Sequence, residues 1–294
     1  MQWPLVRATK SGIRLPFKLK YQEILVGRGR VLANYSVVVV QNETTLNMKS
    51  YNPFLLFVLI SFIATSCYID IDDDDGLNIG PSVRGSDNVI TEGRNLDSFS
   101  RIEVEGSANV FISQGADQTV KIEADDNIVP IVTTKVRGAE LEISNSRNYR
   151  SKNPVNVYIT VPEIEAVRID GSGDVFGETS LAGTELALEI EGSGDMDLEV
   201  FYVQLSVESS GSGDFQMFGE VDTQNVRISG SGNYQARDLD SKDCDIRITG
   251  SGDAAVLASE FLKAEIRGSG NIVYYGSPKV NSSVSGSGNI ISSR

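Results

Sequence analysis

The tetrapeptide Gly-Ser-Gly followed by Asp or Asn returns seven times in the second half of this chain. It stands as GSGD at Gly171, Gly192, Gly211 and Gly250, and as GSGN at Gly230, Gly268 and Gly286. The step from one start to the next is 21, then 19, 19, 20, 18 and 18 in sequence number. A second rule runs with the first. Four residues before each leading glycine stand Val167, Leu188, Val207, Val226, Ile246, Ala264 and Ser282; two before it stand Ile169, Ile190, Ser209, Ile228, Ile248, Ile266 and Val284. Four after it stand Val175, Met196, Phe215, Tyr234, Ala254, Ile272 and Ile290. Apolar residues at alternate positions describe a strand with one buried face. A repeat of about 20 residues describes a solenoid, whose coils bury that face on their neighbours. The fold expected is therefore all-β: a parallel β-helix or β-solenoid with coils of about 18–21 residues.

Both glycines share the parity of the inward positions. Either the strand runs through them and a tight corner has no room for a side chain, or the chain turns there and uses positive φ. The fourth residue then points outward, and stacked coils align Asp174, Asp195, Asp214, Asn233, Asp253, Asn271 and Asn289 in a column with a step of roughly 4.8 Å. Successive carboxylates so close repel unless they splay into water, accept backbone N–H groups or share a cation. The column is thus the candidate site for a weakly bound cation or a polar ligand. Calcium is the cation to consider, and no other cofactor is expected.

Charge narrows the partners. Of 26 basic and 40 acidic side chains, 8 and 2 precede Cys67, which leaves 18 and 38 from there on, a net charge of −20. Such a surface repels nucleic acid and anionic membranes. The chain has no histidine and two cysteines, Cys67 and Cys244. Cys244, inside a repeat and without a histidine to activate it, reads as a small buried hydrophobe.

The first third of the chain reads as processing and tether. Residues 1–47 have neither clear periodicity nor caps, and read as an upstream extension of a protein starting at Met48. Residues 48–66 hold a lysine, a short apolar run and small residues before Cys67, the build of a signal peptide and too short for a comfortable transmembrane helix. Its end resembles a bacterial lipobox of the permissive Bacteroidetes kind, which implies lipid on Cys67 and attachment to the membrane through it. The acidic run Asp72-Asp73-Asp74-Asp75 cannot pack in a core and extends a flexible tether over 67–96. Its place behind the cysteine looks like an export signal to the outer face of the outer membrane, the periplasmic face being the alternative. Order is expected from Asp97, giving a solenoid domain over 97–294. Gly106-Ser107-Ala108-Asn109 is a degenerate first copy, and the stretch from there to Gly171 has a length close to three further coils, with alternation at 119–124, 131–136, 140–144 and 155–161. Residues 146–153 gather Arg147, Arg150 and Lys152 on a loop read as mobile and as a contact site. The serine-rich last coil suits an uncovered solenoid end.

The leader, the block Phe99-Ser100-Arg101-Ile102-Glu103-Val104, the strand at 157–162 and the GSGD/GSGN series together resemble the auto-transporter adhesin head GIN domain family of Bacteroidetes lipoproteins, over about 97–290. The resemblance implies a right-handed parallel β-helix-like fold and a cell-envelope location; it brings no catalytic or binding residues. Four functions stay open: a surface-anchored adhesion or binding module for glycans or envelope proteins, with Tyr274 and Tyr275 as stacking surface; a polysaccharide-active enzyme; a calcium-stabilised scaffold; and a structural envelope protein. Against the enzyme, the carboxylates recur with the scaffold instead of gathering at one irregular place.

Overall fold

The structure, a computed structural model, describes residues 82–293. The expectations for 1–47, 48–66, Cys67 and the acidic run lie outside the described residues. Within them there is no helix, and none long and apolar enough to cross a membrane.

The repeat spacing is the register of a stack of parallel rungs. Val167 lies beside Leu188, Leu188 beside Val207, Val207 beside Val226, Val226 beside Ile246, Ile246 beside Ala264, and Ala264 beside Ser282. Each step equals the distance between successive Gly-Ser-Gly starts. Irregular spacings therefore become local irregularities in the rungs. The one extra residue between Gly230 and Gly250 is absorbed by a register shift opposite Gln216 and Phe218. From Val167 to Ala264, and from Ile169 to Ile266, the two positions before each corner are buried columns. Burying each such aliphatic side chain contributes about 1.5–3 kcal/mol.

The rungs have a second corner, which the glycine motif does not mark. In the strand Met196–Ser209 the buried positions run Met196, Leu198, Val200 and Tyr202, then resume at Leu205, Val207 and Ser209. Two outward residues stand together at 203 and 204, so the chain bends there and keeps the same side inward. Tyr202 fills the inside of this bend and donates its hydroxyl to the Ile164 carbonyl at 2.9 Å. Burial first, and then nearby Glu163, push its phenol up to about 12.

Before Gly171 the structure departs from simple stacking. The strand Ala166–Gly171 pairs directly with Arg101–Gly106, placing Gly171 beside Gly106. The chain between these two strands does not form the three successive coils expected. One rung, Glu140–Asn145 with Asn156–Val161, stacks in parallel on the far side of Arg101–Gly106 and Asn109–Gln114. The rest closes this end with antiparallel strands: Thr119–Asp125 against Asn156–Val161, and Val132–Arg137 against Glu140–Asn145. Alternation says that a strand has one buried face, but it is blind to the direction of the partner.

The tether boundary also moves. Val89–Arg94 runs antiparallel to Thr119–Asp125, and Val83–Arg84 runs parallel to Tyr149–Arg150. Residues 82–96 therefore belong to the folded unit instead of the linker. The loop at 146–153 is likewise held by strand pairing, and is not the free loop expected. At the opposite end, Lys279–Gly286 is exposed along its whole length. Its serines meet water as expected, but so do the inward-facing Val280 and Val284.

Candidate functional site

The Asp/Asn column exists, and the scaffold itself uses it. At each corner the residue after Gly-Ser-Gly donates its backbone N–H to the side-chain oxygen of its counterpart one rung earlier. Asp195 donates to Asp174 Oδ1 at 3.0 Å, Asp214 to Asp195 Oδ1 at 2.8 Å, and Asn233 to Asp214 Oδ1 at 2.7 Å. The series continues with Asp253 on Asn233 at 3.0 Å, Asn271 on Asp253 at 2.7 Å and Asn289 on Asn271 at 3.1 Å. Asp174 begins it on Asn109 Oδ1 at 3.4 Å. The ladder is satisfied by any residue with a short side-chain acceptor, which is why Asp and Asn alternate freely in the sequence. Where Asn follows Asp, its amide also donates sideways: Asn233 Nδ2 to Asp214 Oδ1 and Asn271 Nδ2 to Asp253 Oδ1, both at 3.0 Å. Backbone donors are thus one way in which the stacked carboxylates are offset. Among the described residues no group of three or more His, Cys, Asp or Glu side chains is placed to hold a metal ion.

The glycines are required by the close approach of successive corners. A Cβ on Gly213 would lie 2.0 Å from the Gly194 carbonyl oxygen, and one on Gly192 2.1 Å from that of Gly171. Gly192 also adopts φ 140°, a region that disfavours side chains, so close approach and positive φ both require glycine there, as they do at Gly250 and Gly268. Ala108 replaces the second glycine in the first copy because its corner faces the cap. There the chain from Ser146 to Val155 leaves the rung, and a Gly-Ser-Gly corner does not lie beneath it.

The outward charges form ladders as well. Arg168 reaches Glu189 at 3.1 Å and Glu191 at 3.0 Å, with Glu103 at 3.4 Å on the rung before. Burial and then Glu140 push the Glu103 carboxyl up. Farther along, Arg227 pairs with Glu208, Arg247 with Glu265 and Lys263 with Asp245. Several of the outward carboxylates, Glu189, Glu191, Glu208, Asp245 and Glu265 among them, are thus paired with the scaffold's own cations.

Sequence reasoning missed two arrangements. Inside the stack, Tyr234 donates to Gln224 Oε1 at 3.0 Å, Gln224 Nε2 donates to Ser241 Oγ at 2.8 Å, and Ser241 Oγ donates to the Leu257 carbonyl at 2.7 Å. All three side chains are buried, and burial drives the Tyr234 phenol well above its usual range. Gln224 at an inward parity position was the available signal. On the outside, Phe111 stacks between Tyr158 and Phe176, with ring centroids 5.0 and 5.3 Å apart. Phe111 and Phe176 hold equivalent places after their corners, which the degenerate first copy could have revealed. Their faces are spent on one another. Tyr274 packs against the core, and Arg237 covers the ring of Tyr275 at 4.9 Å. The tyrosine pair is therefore mainly packing. Cys244 is buried, and burial pushes its thiol far up, consistent with an inert core residue.

At the capped end, Arg84 and Arg150 are register partners in the two-stranded parallel pair. With Ser82, Gly85, Asp87, Ser151 and Lys152 they line an open cavity of about 460 Å³. This is the basic group of 146–153 enlarged by Arg84. Arg147 is not among its lining residues.

A parallel β-solenoid with a side-chain-to-backbone ladder at each glycine corner, closed at one end by antiparallel strands, is the class of protein that these features define. The profile of the family described as "Putative auto-transporter adhesin, head GIN domain" matches residues 98–278, and the chain belongs to that family. Among solved structures, one described as a putative adhesin from Bacteroides fragilis is similar at 28% identity and TM-score 0.69, covering 72% of this chain and 100% of that one. Two from Parabacteroides distasonis, a putative adhesin (TM-score 0.65) and a putative lipid binding protein (TM-score 0.62), are each 23% identical over 72% of this chain and all of theirs, and share the fold. No curated protein matches.

Proposed function

We propose that this chain is a lipid-anchored, non-catalytic binding module of the bacterial cell envelope, displayed on the outer face of the outer membrane for adhesion to glycans or envelope proteins. The observation that carries this reading is what the structure does with the recurring polar residues. The Asp and Asn that a repeat-borne active site would use accept backbone N–H groups of the next rung, and Glu189 and Glu208 are paired with scaffold arginines. What remains is a stiff rod of stacked rungs, suited to holding surfaces at a distance. Membership of a family described as adhesins supports the envelope setting. The signal and cysteine at 48–67 support the anchor.

Protease shaving of intact cells expressing the protein, with Cys67→Ala as control, tests the placement. Digestion of the wild type on intact cells, with a periplasmic marker preserved and the Cys67→Ala protein lost from the membrane fraction, is the expected result. Protection until lysis would remove the surface-adhesion reading.

A further inference from the structure

We propose that the cavity at the capped end binds a sugar unit carrying a single oxyanion, a carboxylate or a sulfate, within an otherwise neutral glycan. This rests on the binding-module reading and names its ligand chemistry. Arg84 and Arg150 sit directly opposite one another on adjacent parallel strands, at the strand spacing of about 4.8 Å. Like charges so placed destabilise a strand pair. Elsewhere on this surface adjacent-rung arginines have a carboxylate beside them, as Arg227 has Glu208 and Arg247 has Glu265. Arg84 and Arg150 have no ion-pair partner among the described residues, although the chain from Cys67 on holds 38 acidic side chains.

The nearby carboxylates are committed to the cap. Asp125 is buried, accepting from Ser151 Oγ at 2.6 Å and Asn153 Nδ2 at 2.8 Å. Asp126 takes Asn88 Nδ2 at 2.9 Å and the Ser86 hydroxyl. Asp87 is paired with Lys152 at 2.9 Å. Of the charged residues that line the cavity, Arg84, Arg150 and Lys152 are basic and Asp87 alone is acidic, so the lining itself is net positive. Two guanidinium forks side by side match the two oxygens of a carboxylate or a pair on a sulfate. Asp87 and Ser82 on the lining supply polar atoms for sugar hydroxyls. The cavity volume falls within the range of small-ligand sites.

The rest of the domain sets the charge density of the ligand. Beyond a screening length of about 8–10 Å the surface is strongly acidic. A densely charged polyanion would be repelled there, whereas one anionic sugar among neutral neighbours would not.

The test is calorimetric titration of the purified full chain with glucuronic acid, glucose 6-sulfate and glucose. Binding of one or both anionic sugars, weakened by salt, with none of glucose, is the expected result. Whichever anion binds identifies the group. Arg84→Gln and Arg150→Gln should each weaken it by about tenfold to a hundredfold, and Arg147→Gln should not. Thermal unfolding of both variants should be unchanged or slightly raised, since a like-charge pair is relieved. If a Gln variant fails to fold, Arg84→Lys, which keeps the charge and loses the fork, takes its place with the same expected loss. Equal binding of glucose, no binding of any of the three, or anion binding indifferent to Arg84 and Arg150 would overturn the site. Selective binding of other glycans by the Arg84→Gln/Arg150→Gln protein would leave the binding-module reading standing alone.

Discussion

Replacing Asp214 separates the two roles a stacked column of carboxylates can play. Its Oδ1 accepts the Asn233 backbone N–H at 2.7 Å and the Asn233 amide at 3.0 Å. Asp214→Ala removes both acceptor contacts and leaves the Asn233 N–H without its charged acceptor. A hydrogen bond to a charged acceptor contributes about 1.5–3 kcal/mol. Asp214 is half-buried, so water recovers part of this, and a loss of about 1–2 kcal/mol remains. For a domain of this size that lowers Tm by about 2–8 °C. Asp214→Asn keeps an oxygen in the same place. Asn on Asn is already built into the ladder, where Asn289 donates to Asn271 through both its backbone and its amide. The Asn variant should therefore lie within about 0.5 kcal/mol of wild type. Circular-dichroism melting measures both, and hydrogen exchange should show the Asn233 amide opening faster only in the Ala variant. A cation column predicts the reverse pattern: Asp→Asn would cost as much as Asp→Ala, and calcium would raise Tm in the wild type alone. Equal losses for the two variants would refute the ladder argument.

Gly213→Ala puts a methyl 2.0 Å from a backbone oxygen and should cost at least about 3 kcal/mol or prevent folding, whereas Gly93→Ala, with open space around it, should be neutral; soluble yield and melting distinguish them. Gln224→Leu strands the buried Tyr234 hydroxyl and should cost about 1–3 kcal/mol, and adding Tyr234→Phe should recover part of that, a coupling that a double-mutant cycle in denaturant reads directly. The Ser151 hydroxyl and then the Asn153 amide hold the Asp125 carboxyl below its ordinary range. Its folded pKa is thus lower than its unfolded value of about 3.9, so its stabilisation is complete above that value and is lost as pH falls through the folded pKa. Melting followed from pH 5 to pH 2 should show this loss, and Asp125→Asn should flatten it. In the Cys67→Ala protein, Cys244 should resist a thiol reagent until denaturant unfolds the stack, because burial keeps the thiol protonated and covered; rapid native labelling would contradict its place in the core.

How much of this was legible beforehand follows from what repeats. The rungs, their register and the direction of the side chains flanking each Gly-Ser-Gly were readable because each coil tests the same alternation against the last. The seven Asp and Asn positions were found for the same reason, yet their use was not. A residue that recurs in a column can serve a ligand or the column, and the distance from Asp195 N to Asp174 Oδ1 shows the second of these uses. The bend between Tyr202 and Leu205 escaped notice because it is made by a parity slip and carries no glycine. The cap was hidden more deeply. Val89–Arg94 has no buried position to advertise it, since as an edge strand it is held by hydrogen bonds to Thr119–Asp125. The degenerate copy at Gly106 matches the motif at Gly171, but nothing local says that the strands 101–106 and 166–171, far apart in the chain, are direct neighbours.

In a repeat scaffold the recurrent residues are therefore poor guides to function, and the departures from the repeat are good ones. A side chain that returns at every coil must suit every coil, which a single binding site never requires. Ligand recognition needs a place where neighbouring rungs differ, and here the chain differs most at the cap. Val83–Arg84 and Tyr149–Arg150 set together two guanidiniums that have no ion-pair partner among the described residues, in a chain of net negative charge. Local arrangements that cost stability without an evident structural return tend to mark functional sites. On that ground the capped end, and not the long faces of the solenoid, is where substitutions should change what the protein binds while leaving its melting unaltered.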